Sequence, residues 1–390
     1  MAIDKIIAPA LLNFAGNPII VEARTDMSVS GTEYSFLRIV CEVNVYTEPY
    51  RDVPTFSMEL SQPVSDKGTA TFNLSDAAQS VVLSAQNKIN MNESPANEGG
   101  SVTNYYNAGR RYYVQAFVYD VYIRDNYEVK SDKELVMPEE NQSFIYVIPG
   151  KLNDFEMLSM GGFYLADKVK GRMMSRKPDM GMVYKGETII VPVIGDGSFS
   201  KKLTVSVDGT KTNEVSESFK LYYLSYQEAT MSHASDGGIT VSSDLGGIKT
   251  GHYRTNTNGV HFLRFINGFG AVENISVRSK DKLSYEVSGE THSLVQGVTT
   301  RPTDRRYAVK SQPVGVYELS SGYVPQKWAE WYVQELLTSP RVWIQLGGKW
   351  VPALIEAEDD CVIYDRSKPE MPHVDFTLRL AIDGVTGVAW

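Results

Sequence analysis

The sequence predicts a mainly β protein of two or three β-sandwich or barrel-like domains, with one amphipathic helix near the C-terminus. Three observations predict it: long stretches alternate with period two, short apolar runs end in turn residues at regular spacing, and helical periodicity is scarce. The 390 residues suit two or three domains at roughly 100–200 residues each. Apolar residues make up 42% and charged residues 22%, a globular composition rather than a disordered one.

The elements follow in chain order. Over residues 36–46, Leu37, Ile39, Cys41, Val43 and Val45 alternate with Arg38, Glu42 and Asn44, which sets one face inward on a pleated strand. Residues 111–123 place Tyr113, Gln115, Phe117, Tyr119 and Val121 on one face and Tyr112, Val114, Ala116, Val118 and Asp120 on the other. A strand apolar on both faces belongs centrally between two layers, or has one face covered by a neighbour. Shorter strands are expected at 144–148, 188–194, 202–207, 218–225 and 350–355, with Asp208-Gly209 read as a hairpin turn between two of them.

Two helices are expected. The first covers 76–88, with Ala77, Ala78, Val81, Val82 and Ala85 spaced by three and four and Ser75 or Asp76 as its cap. The second covers 326–338, where Trp328, Trp331, Tyr332 and Leu336 form an apolar stripe between Pro325 and Pro340. Boundaries near Pro149-Gly150 and near 297–302 divide the chain into an N-terminal β-sandwich domain (1–149), a middle β-rich domain (150–298) and a C-terminal β domain with the helix (299–390). The polar, aperiodic stretches 91–103 and 232–251 read as exposed loops.

A net charge of −9 argues against nucleic acid as the main partner, and the pairs Arg110-Arg111 and Arg305-Arg306 do not reverse it. No stretch reaches the roughly 18 apolar residues of a membrane span. The run Ile6-Ile7-Ala8-Pro9-Ala10-Leu11-Leu12, interrupted by proline, does not read as an export signal. The only two cysteines, Cys41 and Cys361, are far apart and read as core thiols.

The residues that carry catalysis elsewhere do not assemble into a motif here. The histidines, His233, His252, His261, His292 and His373, form no metal pair and flank no serine elbow. Gly268-Phe269-Gly270 and Gly195-Asp196-Gly197 read as turns rather than phosphate cradles, and Glu356-Ala357-Glu358-Asp359-Asp360 as a solvated turn rather than a calcium loop. In the pairs Tyr105-Tyr106, Tyr112-Tyr113 and Tyr222-Tyr223, neighbours on a strand face opposite ways, so one is core and the other covers a sheet or subunit surface. Tyrosine is abundant at 23 residues and suits surfaces that are wet before assembly. No catalytic, cofactor-binding or metal-binding residue is singled out, and no cofactor is expected.

Four stretches share a style. They are Asn13-Phe14-Ala15-Gly16-Asn17-Pro18-Ile19, Ala70-Thr71-Phe72-Asn73-Leu74-Ser75-Asp76, the run Phe262-Leu263-Arg264-Phe265-Ile266-Asn267-Gly268-Phe269-Gly270-Ala271-Val272-Glu273, and a C-terminal set. That set runs from Trp328 through Ser339-Pro340-Arg341-Val342-Trp343 to Val351-Pro352 and Asp365-Arg366-Ser367-Lys368. Together they resemble tail-tip and baseplate-type structural proteins of phages and prophages of gut Bacteroidales. The resemblance implies a non-enzymatic virion subunit, made in the bacterial host cytoplasm, that assembles into rings or around a hub. Its implied partners are copies of itself and other virion proteins, with host surface glycan met through the loops, and neither nucleic acid nor membrane. A glycan-binding adhesion protein and a carbohydrate-active enzyme are the alternatives.

Overall fold

The computed structural model is mainly β, with several sheets, one of them a closed six-stranded barrel. The described residues are 3–26, 35–49, 51–92, 96–99, 102–104, 111–154, 156, 174–178, 181–184, 186–194, 206–207, 221–227, 238–242, 248–254, 257–293, 306–357 and 371–381.

The N-terminal region stacks two sheets and a helix. One sheet holds β1 (Ile3–Ile7), β3 (Ile20–Thr25) and β6 (Thr69–Asn73). The other orders β2 (Leu12–Phe14), β12 (Ile145–Ile148), β9 (Tyr112–Arg124), β4 (Ser35–Tyr46) and β5 (Phe56–Pro63). The short β10 (Tyr127–Lys130) and β11 (Glu134–Leu135) add to β9. Alternation decides this layer. Ile39, Cys41, Val43 and Val45 of β4 and Tyr112, Val114, Ala116 and Val118 of β9 are all fully buried in one core, where the register sets Cys41 opposite Val118 and Val43 opposite Ala116. Helix α1 (Ser75–Gln86) lays Ala77, Ala78, Val81 and Val82 on the same core. Its cap differs from the expected Ser75 or Asp76: Leu74 is the cap residue and makes no side-chain bond. Asn73 just upstream accepts the Ser75 and Ile19 amides through Oδ1 at 3.1 and 3.0 Å, tying helix start to strand.

The middle of the chain forms two four-stranded sheets. In one, β14 (Thr188–Ile194) and β16 (Leu221–Gln227) are joined by β8 (Val102–Asn104) and β7 (Ala96–Gly99). In the other, β13 (Gly181–Tyr184), β18 (Ile248–Arg254), β17 (Gly238–Ser242) and β15 (Ser206–Val207) follow in that order. Three expectations change here. The stretches 91–103 and 232–251 contain strands rather than only loop, because backbone pairing requires no apolar side chain and period-two reading is blind to it. Among the described residues, the runs flanking Asp208-Gly209 pair elsewhere: β15 with β17, and β16 with β14 and β8. Asp208 and Gly209 themselves lie outside the described residues.

The barrel closes through β19 (Val260–Ile266), β20 (Val272–Ser293), β21 (Arg306–Ser320), β24 (Asp375–Leu380), β23 (Lys349–Ala357) and β22 (Val342–Leu346). The interval 297–302 thus falls between two strands of one barrel. Leu263, Phe265, Ile275, Leu319, Ile344 and Leu378 belong to its core. Helix α2 (Gln326–Trp331) and a π-helical turn over Tyr332–Leu336 add Trp328, Trp331, Tyr332 and Leu336 to that core, the stripe expected for one helix over 326–338. The change of helix type at Tyr332 is the difference; the wider turn keeps Tyr332, Glu335 and Leu336 all buried.

Candidate functional site

A third core joins the N-terminal layers to the barrel, with Leu12, Phe14, Ile148, Leu152, Ile190, Ile266, Val272 and Trp343 in it. Polar groups converge around it. The turn Asn267-Gly268-Phe269-Gly270 between β19 and β20 packs against it through Phe269. Asn267 folds the turn on itself: its Oδ1 accepts the Phe269 and Ala271 amides at 3.1 and 3.0 Å, and Gly270 adopts φ +72°. Backbone from Pro149 and Gly150 passes so close that a Cβ on Gly270 would strike it. Asn17 clamps the same passage by exchanging two bonds with the Leu152 backbone, 2.8 and 3.1 Å.

Segment 174–177 threads between this turn and α2. Arg176 stacks its guanidinium 4.0 Å over the Phe269 ring. It donates Nε and Nη2 to the two oxygens of Glu156 at 2.7 and 2.5 Å, and Nη1 to Glu335 at 2.5 Å. The other oxygen of Glu335 accepts the Gly268 amide at 2.5 Å, and Gly268 has no room for a Cβ, which would meet Arg176 and Glu335. Ser175 donates to Glu273, whose second oxygen accepts from Asn267 Nδ2 at 3.1 Å. Lys177 donates to the Asn274 carbonyl at 2.8 Å. Asn274 accepts the Ile190 amide at 2.8 Å and donates to Glu187 at 2.7 Å; the other Glu187 oxygen takes the Tyr184 amide at 3.0 Å.

Four carboxylates and two cations therefore share one buried junction, and all eight carboxylate oxygens accept a hydrogen bond from the chain itself. Burial pushes the Glu187 and Glu273 carboxyls above the ordinary value of 4.5, with the Lys177 charge pulling the other way. Burial works against the charge on Arg176, yet bonds to Glu156 and Glu335 hold its pKa above the usual arginine value. Burial also raises the Tyr332 phenol. Such a cluster fixes chain segments relative to one another, since each charge is costly to leave unpaired out of water.

None of these acids or bases is singled out by the sequence motifs. The signals were there in parity: Glu273 shares the inward phase of Ile275 and Val277, and Glu335 lies on the Trp331 and Tyr332 stripe. Gly268-Phe269-Gly270 is a turn, as expected. His261 packs edge-on to Tyr317 at 5.5 Å, with its pKa lowered by burial, and His373 meets Tyr323 at 5.5 Å. His233 lies outside the described residues; so do Gly195-Asp196-Gly197, Tyr105-Tyr106, Cys361 and residues 358–360 of the acidic run. Glu356 pairs with Arg379 at 3.1 Å. Tyr112 and Tyr113 face opposite ways, Tyr112 into the first core and Tyr113 into a cluster with Tyr46 and Phe144. Cys41 is a buried free thiol, pushed up to about 12 by burial.

No protein-family model matches the chain, and no curated protein matches its sequence. Among solved structures it is similar to invasin, a bacterial integrin-binding protein, at 12% identity and a TM-score of 0.22 over 82% of this chain and 56% of that one. It is also similar to dimeric latent PorU from Porphyromonas gingivalis, at 9% identity and a TM-score of 0.22, over 90% of this chain and 33% of the other. The chain thus spans about half the length of the first structure and a third of the second.

Proposed function

We propose that the chain is a non-enzymatic structural subunit of a phage virion, a tail, tail-tip or baseplate component that packs against copies of itself and other virion proteins. The observation that carries this reading is the junction. A glycosidase requires two carboxyl groups with oxygens free to meet a substrate bond. Here the four converging carboxylates have every oxygen engaged by the protein's own amides, hydroxyl and cations.

The contact surface of the reading lies at one end of the seven-stranded sheet. Phe36 is 81% exposed and Tyr127 76% exposed, on the strands that flank the end of β9. Phe36 adopts φ +55° at a break in the β4–β9 register, a conformation costly for a bulky residue. Aromatic rings left in water at a sheet end are the anchors that subunit contacts bury.

Sedimentation of the full chain with electron microscopy of the same sample tests the reading. Rings or stacks are the expected result, and Phe36→Ser should shift the population toward single subunits. A wild-type chain that stays monomeric at the highest concentration reached would overturn it.

A further inference from the structure

Beside the junction lies a cavity that the assembly reading leaves without a role. It opens between the barrel strand β20, the end of β13 and residues 321–325, and holds about 370 Å3, near the lower end of the roughly 300–1,000 Å3 range of small-molecule sites. Tyr184, Trp328 and Tyr332 line it as buried rings, at 6%, 6% and 3% exposure. Tyr323 stands at the rim, 70% exposed, and Arg278 is exposed beside it, the one charged side chain among the described residues of the lining.

Two further observations point to a ligand. Ser276 lines the cavity at 8% exposure; its hydroxyl is turned toward Glu187 as a donor, and its Oγ accepts no hydrogen bond within 3.5 Å among the described residues. A buried hydroxyl with unused bonding capacity is satisfied by water or by a bound group. The wall is also fixed in advance, since the Ser321 and Val324 amides donate to the Val374 and Pro372 carbonyls, both at 2.9 Å.

We propose that this cavity binds a single acidic saccharide ring. A pyranose presents an apolar C–H face to an aromatic ring, a hydroxyl to an acceptor such as Ser276 Oγ, and, when oxidised at C6, a carboxylate to a guanidinium such as Arg278. An apolar side chain from a protein partner would use the rings and leave Ser276 and Arg278 unanswered.

The full chain titrated with methyl β-D-glucuronide and methyl β-D-glucoside, by saturation-transfer NMR and calorimetry, tests this. Both should bind, the glucuronide about tenfold more tightly through its charge-assisted bond. Arg278→Gln should bring the two to parity, and Tyr323→Ala, a rim change that leaves the buried walls in place, should weaken both by about tenfold. The proposal is overturned if neither saccharide binds, or if both variants bind as wild type does. It is overturned in favour of a protein side chain if N-acetylphenylalanine amide binds and the saccharides do not.

Discussion

The first core and the junction both lock backbone segments together, with opposite materials. Around β4, β9 and α1, the covering groups are Ile39, Cys41, Val43, Val45, Val114 and Val118, and the ion pairs keep at least one partner about half exposed, as Arg51 with Glu48 and Lys133 with Glu42 do. Around the Asn267–Gly270 turn, Arg176 and Glu335 are themselves inside, with side chains 20% and 3% exposed. The apolar core tolerates small losses because its contacts are many and undirected. The junction is all-or-none: removing one member strands another charge away from water.

The sharpest way to break the comparison is Arg176→Ala, which leaves Glu156 and Glu335 without their cation. It should cost about 3–5 kcal/mol. Tryptophan emission reports on that region, because the four described tryptophans, Trp328, Trp331, Trp343 and Trp350, all lie on the barrel strands and the helix packed on them.

Acidity separates the regions by sign. Glu187 and Glu273 are raised by burial, so their contribution is present in full below the ordinary value of 4.5 and is lost as pH rises through their folded values. Glu42 in the first sheet is lowered, mainly by its bond from Lys133 and then by Asn44, so its contribution is present above 4.5 and lost as pH falls through its folded value. Asp120 is raised by burial within that same sheet, so single replacements are required to separate the groups. The difference in melting temperature between wild type and the double variant Glu187→Gln, Glu273→Gln should therefore turn in favour of the variant as pH rises from 4 to 8, and the difference from Glu42→Gln should turn in favour of wild type. Smallest of all, Ile39→Val in the first core should cost about 1 kcal/mol, read by chemical denaturation with far-ultraviolet circular dichroism. A much larger loss would mean that this core is as brittle as the junction.

What was legible in the sequence follows the same division. β4, β9 and α1 were readable because their burial repeats at two or at three and four residues, a pattern confined to one short window. β14 was readable over Thr188–Ile194 because turn glycines bound an apolar run. The strands at Ala96–Gly99 and Val102–Asn104 were not, since their short sequences carry no apolar alternation and backbone pairing requires none. The junction was hidden for a different reason. Arg176 and Glu335 are 159 residues apart, and singly each resembles a solvated charge. Only the phase of Glu273 and Glu335 among buried neighbours betrays them, and phase says that a charge is inside without saying which cation meets it.

The central claim is that the junction's charges act on one another to hold the chain together. A double-mutant cycle with Arg176→Met and Glu335→Gln, each alone and both together, measures this by denaturant unfolding followed through tryptophan emission. The account predicts that the double variant loses less than the sum of the singles, with a coupling of about 1–3 kcal/mol. Losses that add to within about 0.5 kcal/mol would contradict it.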